Sequence, residues 1–271
     1  MKTKRPVILS IAGSDSGGGA GIQADLKAIS AVGGYGCTAI TAITAQNTLG
    51  VRGVYPVSAE ALRQQLEAVG DDLAVAAVKI GMLPTAEQVE VVAQAIDRYG
   101  WQQVVLDPVM VATSGDVLVQ GPVAKAMGER LFGRCTLLTP NMAEAAALTG
   151  QAVADEAGMQ TAAEALLARG VRAVLVKGGH LLGESMTDWL YRTAADGAVA
   201  RRAFSAAKVH TANLHGTGCT LSSAIATYLG LGYDLEAAVE AGKAYICRAI
   251  AAAWPLGHGH GPVHHFVDWD E

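Results

Sequence analysis

Residues 215–220 combine features that could bind an anion and act on it chemically. Their sequence, HGTGCT, places two glycines and a cysteine directly before an apolar stretch with helical spacing. Backbone N–H groups at a helix start can form a nest for an oxyanion, so Gly216, Gly218 and Cys219 are candidates for the anion hole of a phosphoryl-transfer site. The helix N-terminus is expected to lower the pKa of the Cys219 thiol, which could then act as a general base. A glycine-rich loop with a small buried cysteine fits the same pattern.

Other polar residues could hold a metal–polyphosphate complex. Asn141 and Glu144 lie one turn apart at the start of a predicted helix, and such a pair suits Mg²⁺ bound largely through water. A helix cap with a first-turn acid would be an equally sufficient interpretation. Lys177 stands between a predicted strand and two glycines, where its ammonium group could contact phosphates. A solvated lysine in a turn would fit that position too.

Residues 13–21, with the sequence GSDSGGGAG, form a second glycine-rich segment before a predicted helix. Glycines allow backbone N–H groups to approach a ligand closely, but the absence of a following Gly-Lys-Ser/Thr excludes a P-loop. Residues 19–24 match the pattern GxGxxA of dinucleotide sites, yet the second predicted strand runs into Gln46-Asn47 rather than an acid. Asp25 lies one helical turn further on. It could interact with the helix dipole or bind a substrate hydroxyl or amine.

The elements that must position these residues alternate between strands and helices. Apolar periodicity predicts strands at 7–13, 37–45, 75–80, 104–106, 136–138 and 173–176, and a β-hairpin at 186–191 and 200–204. It predicts helices at 21–32, 58–69, 85–99, 122–132, 143–148, 156–168, 220–229 and 235–253. This alternation is typical of an α/β protein with three layers, α/β/α, and a mostly parallel sheet. We expect a single domain over residues 1–271, with ligands at the carboxyl ends of the strands.

The amino-acid composition excludes several classes of protein. The 271 residues are 51% hydrophobic and carry 20 basic against 25 acidic side chains, so nucleic acid or an anionic membrane is not expected as the main partner. The four scattered cysteines include no CxxC pair, and free thiols favour a reducing, cytoplasmic setting. The apolar run after the N-terminus is too short for a signal peptide, and no stretch is long enough for a spanning helix.

Taken together, the segments resemble the ribokinase-like superfamily of small-molecule kinases. Within it, the chain resembles the family of bacterial hydroxymethylpyrimidine and phosphomethylpyrimidine kinases of thiamine biosynthesis. The resemblance runs in order from about residue 6 to residue 266. The segments that carry it are AGSDSGGGAGIQADLK (12–27), TAITAQNT (41–48), KIGML (79–83), LDPVMVATSG (106–115), LTPNMAEAAALTG (138–150), VLVKGGH (174–180), HGTGCTLSSAIA (215–226) and GHGPVHHF (259–266).

This resemblance implies a ribokinase-like fold and a role for each candidate residue. The pyrimidine is expected against Asp25, Gln46, Met82 and Val109. ATP is expected against Lys177, Thr217 and Asp107, and Mg²⁺ against Asn141 and Glu144. Gly216 and Gly218 would bind the γ-phosphoryl group, and Cys219 would act as base where the wider superfamily has a catalytic Asp. The Gln46 amide is chemically apt, because it can donate to and accept from an aminopyrimidine edge.

The implied reaction is in-line transfer of the ATP γ-phosphoryl group to the hydroxymethyl oxygen, followed by phosphorylation of the monophosphate. Residues 16–21 or a mobile segment around residues 113–117 are candidates for holding the additional phosphate of the second reaction. A lid of that kind would also exclude water. The resemblance also implies a homodimer. A pyridoxal or pyridoxine kinase of the same fold is the nearest alternative. A non-catalytic nucleotide-binding module and an NAD-dependent oxidoreductase fit the motifs less well.

Overall fold

A nine-stranded sheet forms the middle layer of the molecule. The computed structural model describes residues 5–110, 121–179, 184–194 and 196–269. Within these residues the strands are β1 Val7–Asp15, β2 Tyr35–Asn47, β3 Gly50–Pro56, β4 Val75–Ile80, β5 Val104–Leu106, β6 Leu137–Leu138, β7 Ala173–Val176, β8 Ser185–Thr193 and β9 Val199–Ala207. Their order is β3-β2-β1-β4-β5-β6-β7-β8-β9. The six strands from β2 to β7 in this order are parallel, and β3, β8 and β9 are antiparallel to their neighbours.

Helices cover both faces of the sheet. They are α1 Gly21–Val32, α2 Ala59–Gly70, α3 Ala86–Tyr99, α4 Gly121–Arg130, α5 Met142–Thr149, α6 Glu156–Ala168, α7 Thr217–Gly230 and α8 Leu235–Ala251, with a short 3₁₀ helix at Phe132–Arg134. One apolar core lies between the sheet and α1, α7 and α8. The other lies between the sheet and α2 to α6. The predicted three-layer α/β/α arrangement with a mostly parallel sheet is therefore confirmed.

The parallel strands belong to both cores because successive side chains point to opposite faces. Val104 and Leu106 pack into the core beneath α2 to α6, whereas Val105 packs into the core beneath α7 and α8. All three are fully buried. Burial of each such side chain stabilises the fold by roughly 1.5–3 kcal/mol. The short continuous apolar runs in the sequence thus correctly predicted strands whose two faces are both covered by helices.

The structure differs from the sequence prediction at β3 and at the start of α7. The prediction contained no strand at Gly50–Pro56, which pairs with β2 at the edge of the sheet. Two glycines and an arginine interrupt its apolar pattern, so only the pairing with β2 identifies it. Helix α7 begins at Thr217, three residues earlier than predicted, because Gly216 precedes it in a left-handed conformation with φ of 79°. The loop glycines thus belong to the helix terminus itself.

The strand order places a crevice at the carboxyl end of β1. The chain continues from β1 to β2 on one side, while β4 lies on the other, so the connections diverge there. Ligands in such sheets bind in the crevice at this switch point. Among the described residues, no helix has the length and apolar character needed to cross a bilayer.

Candidate active site

A cavity of about 710 Å³ lies at the carboxyl ends of the parallel strands, against the first turn of α7. This volume is typical of a site for small molecules. Every predicted site residue except Asp25 lines it: Gln46, Met82, Asp107, Val109, Asn141, Glu144, Lys177, Gly216, Thr217, Gly218 and Cys219. The tertiary structure therefore brings residues from six separate segments of the chain together in one cavity. Of the segments named as candidate lids, residues 113–117 lie outside the described residues.

Asp25 occupies a different place from the one expected. Its side chain is fully buried on α1, away from the cavity wall, and both carboxylate oxygens lie 2.9 Å from the Lys79 Nζ atom. The hydroxyls of Ser10 and Ser223 also donate to it, at 2.6 and 2.7 Å. Three donor groups of the protein itself thus surround the carboxylate, and Asp25 is not among the residues that line the cavity, so its contact with the pyrimidine stays a prediction. Asp25 supports Lys79, which does line the cavity.

The first turn of α7 brings backbone amides close to a charged cluster. A Cβ atom on Gly218 would lie 3.3 Å from the Lys177 Nζ atom and 3.5 Å from an Asp107 carboxylate oxygen. The absence of a side chain at this position therefore leaves the space between the α7 N-terminus and Lys177 open. The Thr217 hydroxyl donates to the Leu214 carbonyl at 2.7 Å, which ties the loop to its own first turn. This terminus is oriented to favour an anion in the cavity.

The Cys219 thiol has a raised pKa, contrary to the expectation from the helix N-terminus. Burial raises the pKa to about 11 and outweighs the nearby positive charge of Lys79, which lowers it. The carboxylates of Asp25 and Asp107 raise it further, and a hydrogen bond with the Gly21 backbone lowers it. Desolvation disfavours the thiolate more strongly than the helix terminus favours it. The thiol is therefore protonated at neutral pH.

Lys177 is held between two carboxylates on the cavity wall. Its Nζ atom lies 2.9 Å from Asp107 and 3.8 Å from Glu144. Burial alone would lower the pKa of Lys177, but the two carboxylates outweigh it and the pKa is raised. For Glu144, burial raises the pKa and the charge of Asp107 adds to this, while Lys177 opposes it. The cluster contains a permanent cation with two acids next to it.

Asn141 and Glu144 form a complete capping box at the start of α5. The Asn141 side chain accepts from the Glu144 amide at 2.9 Å, and the Glu144 carboxylate accepts from the Asn141 amide at 2.7 Å. The interpretation of these residues as a helix cap is thus confirmed, and it does not exclude binding of a metal. No group of three or more His, Cys, Asp or Glu side chains in the described ranges could by itself hold a metal ion. The oxygens of Glu144 and Asp107 fit Mg²⁺ only together with water or phosphate oxygens.

Gln46 reaches the cavity through an irregularity in β2. The pairing of β2 with β3 shifts register between Ala45 and Gln46. Such a bulge re-aims the side chains that follow. The Thr44 hydroxyl lies 3.2 Å from the Gln46 Oε1 atom, and Ser16 exchanges hydrogen bonds with the Gln46 backbone. The amide is therefore oriented by its neighbours on the cavity wall.

Sequence reasoning missed several buried charged residues that line the cavity, among them Lys79, Lys243 and Asp188. Lys79 lies within the apolar strand β4, and Lys243 lies on the apolar face of α8. The Lys243 Nζ atom is 2.8 Å from Asp188, whose other oxygen accepts from the Gly178 amide at 3.0 Å. A lysine inside an apolar stretch was the available signal, since such residues are almost never fully buried unless paired. Their acidic partners are distant in sequence and only the fold reveals them.

Comparison with known proteins identifies the family. The model of the family described as phosphomethylpyrimidine kinase matches residues 15–264. The chain belongs to the phosphomethylpyrimidine kinase family.

Individual relatives agree with this membership. A hydroxymethylpyrimidine/phosphomethylpyrimidine kinase of Rhizobium meliloti (strain 1021) is 53% identical, over 97% of this chain and 98% of the relative. A crystal structure of phosphomethylpyrimidine kinase from Clostridium difficile 630 is similar with a TM-score of 0.79 and 40% identity, covering 91% of this chain and all of the other. The ADP complex of Bacillus subtilis pyridoxal kinase has a TM-score of 0.89 and 34% identity, covering 99% and 100% of the two chains. The expected kinase fold of this family is thus confirmed.

Proposed function

We propose that this protein phosphorylates 4-amino-5-hydroxymethyl-2-methylpyrimidine and then its monophosphate, with ATP as the phosphoryl donor, in thiamine diphosphate biosynthesis. The supporting observation is that one cavity is lined by groups suited to contact a polar ring and also by groups suited to bind phosphates. Gln46, Met82 and Val109 belong to the first group, and the α7 N-terminus and Lys177 belong to the second. The relatives' names support the choice of pyrimidine.

Different groups of the cavity position the pyrimidine and the ATP phosphates in this proposal. The Gln46 amide pairs with the edge of the aminopyrimidine, while Met82 and Val109 contact its faces. The amides at Gly216, Gly218 and Cys219 bind the γ-phosphoryl oxygens, and Lys177 and Thr217 contact the phosphates of ATP. The hydroxymethyl oxygen then forms a bond to phosphorus as the bond to the ADP oxygen breaks.

The proton of the hydroxymethyl group leaves in the same reaction, and Cys219 is its proposed acceptor. Because the thiol has a pKa of about 11, only a small fraction is thiolate at neutral pH. In the proposed step this thiolate fraction takes up the proton as the bond between the hydroxymethyl oxygen and phosphorus forms. Mg²⁺ held by Asn141 and Glu144, with Asp107 nearby, would neutralise negative charge on the phosphates.

Phosphorylation of pyridoxal is a second candidate function. The observation that favours it is the similarity to the pyridoxal kinase of Bacillus subtilis over almost the whole of both chains. Both acceptors present a hydroxymethyl group on a heteroaromatic ring, so the same cavity could position either.

We further propose that the chain forms a single domain. We also propose that the protein acts in the cytoplasm and that it forms a homodimer.

The deciding experiment is a coupled assay of ADP release with Mg·ATP and each of three acceptors: the hydroxymethylpyrimidine, its monophosphate and pyridoxal. Turnover of both pyrimidines is expected, and turnover of pyridoxal alone would replace the proposed substrate. A Lys177→Met variant should lose activity, because its phosphate contact is gone. Lys125→Met is the matched control, since Lys125 is exposed on α4. No ADP release above the acceptor-free rate would reject the kinase assignment for these acceptors.

A further inference from the structure

The carboxylate of Asp15 joins two loops of the cavity through four hydrogen bonds. Within the glycine-rich loop it accepts from the amides of Gly17 at 2.8 Å, Gly19 at 3.0 Å and Ala20 at 2.8 Å. Across the cavity edge it lies 2.8 Å from the Nε2 atom of His215, the residue that precedes the Gly216–Cys219 turn. The amides that the sequence suggested for a ligand are thus bound by the protein's own carboxylate.

The hydrogen bond between Asp15 and His215 has a defined donor. Burial alone would raise the pKa of Asp15, but the hydrogen bonds from His215 and from the loop amides outweigh it, and the pKa is lowered. An ionised carboxylate only accepts, so the Nε2 atom of His215 carries the proton. Both side chains are buried. A hydrogen bond to a buried, charged acceptor is among the stronger contacts that a side chain can make.

The two loops also fit together through positions without side chains. A Cβ atom on Gly19 would overlap the His215 ring, and a Cβ atom on Gly216 would overlap the Gly19 carbonyl oxygen. On its other side, the His215 backbone amide donates to the Gly261 carbonyl at 3.0 Å. His215 is therefore fixed by its side chain to one loop and by its backbone to the C-terminal segment. Its position determines where the following residues, Gly216 to Cys219, begin helix α7.

We infer that Asp15 is a positioning residue, which acts through His215 to hold the Gly216–Cys219 turn in the geometry that receives the phosphoryl group. This inference rests on the proposed function for the identity of that group. The coupling of the two loops follows from the contacts alone. Asp15 itself does not need to touch either reactant. Its loss should lower the rate of transfer more than it lowers the affinity for the pyrimidine, whose predicted contacts lie on other loops.

A double-mutant cycle on turnover tests this inference. Asp15→Asn and His215→Ala should each lower kcat by at least about tenfold, with the KM for the pyrimidine changed less than about threefold. The double variant should be no slower than the slower single variant, because both substitutions break the same link. His215→Gln should recover much of the loss, since its amide can donate to Asp15. Multiplying losses in the double variant, or an unchanged kcat, would overturn the inference.

Hydrogen exchange gives a measurement that does not depend on activity. In Asp15→Asn, the amides of residues 215–220 should exchange at least about tenfold faster than in the wild type, while those of β4 stay unchanged. His210→Ala is the matched control, because His210 is exposed on the same connecting segment. Unchanged exchange over residues 215–220 would overturn the inference. If the wild type phosphorylates none of the three acceptors, the proposed function fails, and the exchange data still decide whether Asp15 holds the turn.

Discussion

Cys219 faces the cavity from the first turn of α7 with a thiol that burial keeps protonated at neutral pH. If the thiolate accepts the substrate proton, Cys219→Ala should lower kcat by about 100-fold or more, because a general base contributes on that order. Binding of the pyrimidine should remain measurable by calorimetry. The wild-type kcat/KM should rise with pH above neutrality towards the thiol pKa of about 11.

The control for this experiment is Cys37→Ala, which removes a half-buried thiol on β2 away from the cavity. Its turnover should equal that of the wild type. Wild-type turnover in Cys219→Ala would show that the thiol only lines the site and that no base is needed at this position.

Gln46 is expected to recognise the pyrimidine edge by hydrogen bonds. Gln46→Leu should raise the KM for the pyrimidine roughly two- to tenfold, since one such bond contributes about 0.5–1.5 kcal/mol. The KM for ATP should stay constant. Gln94→Leu, on the exposed side of α3, is the control. An unaltered KM for the pyrimidine would remove Gln46 from the binding residues.

The buried pair of Asp25 and Lys79 contributes to stability at the residue scale. Asp25→Asn leaves the Lys79 ammonium buried without a counter-ion, and we expect the free energy of unfolding to fall by about 3–5 kcal/mol. Urea denaturation measures this. Glu60→Gln, in the exposed pair with Arg63, should change stability by less than about 1 kcal/mol. A similarly small effect for Asp25→Asn would mean that Lys79 loses its proton or reaches water.

At the scale of elements, the C-terminal segment packs against α7 through a buried histidine. The Nε2 atom of His265 lies 3.0 Å from the Thr220 hydroxyl, and Tyr245 on α8 donates to the His265 carbonyl at 2.7 Å. Burial lowers the pKa of His265 to about 4, and the positive charge of Lys27 adds to this effect. The folded protein therefore keeps this ring neutral over a range in which the unfolded chain binds a proton.

The contribution of His265 to stability is predicted to be lost as the pH falls from about 6.5 to about 4. Between pH 7 and pH 5 this amounts to about 2 kcal/mol of unfolding free energy, because only the unfolded chain is protonated there. Urea denaturation at both pH values should show a smaller loss for His265→Gln than for the wild type. His258→Gln, at an exposed position, serves as control. Equal pH dependence in the wild type and His265→Gln would contradict the assignment.

At the scale of the whole molecule, apolar side chains are exposed on the edge hairpin of β2 and β3. Ile43 and Tyr55 are directly paired across the two strands and are 57% and 63% exposed. Leu49, in the turn that joins the two strands, is exposed as well. An edge strand with exposed apolar side chains tends to be covered by another chain. This surface is where we propose that the homodimer forms.

Sedimentation at micromolar concentration should therefore show a dimer for the wild type and a monomer for the Ile43→Lys/Tyr55→Glu variant. Leu231→Lys places a charge at another exposed apolar position and should leave the dimer intact. A monomeric wild type would reject the homodimer. A dimeric double variant would place the interface on another surface.

The sequence was sufficient for most of the architecture because strands and helices follow from local apolar periodicity. Helix α6 and strand β7 were predicted with the bounds that the structure has. The loops that carry Gln46, Lys177 and Gly216 could be assigned to one end of the sheet, since parallel strands bring their carboxyl ends together. Strand β3 was missed because its residues have little apolar pattern of their own.

Residue types and spacing alone therefore predicted the fold class and the region of the candidate site, and the resemblance of its segments indicated the family. Only the tertiary structure decided which groups pair and which line the cavity. The Asp25 carboxylate is paired with Lys79, and the amides of the glycine-rich loop donate to the Asp15 carboxylate. Likewise, burial raises the pKa of Cys219, although its helix position predicted the opposite. The physical reason is that hydrogen-bond partners and desolvation depend on contacts between distant segments, which local patterns do not contain.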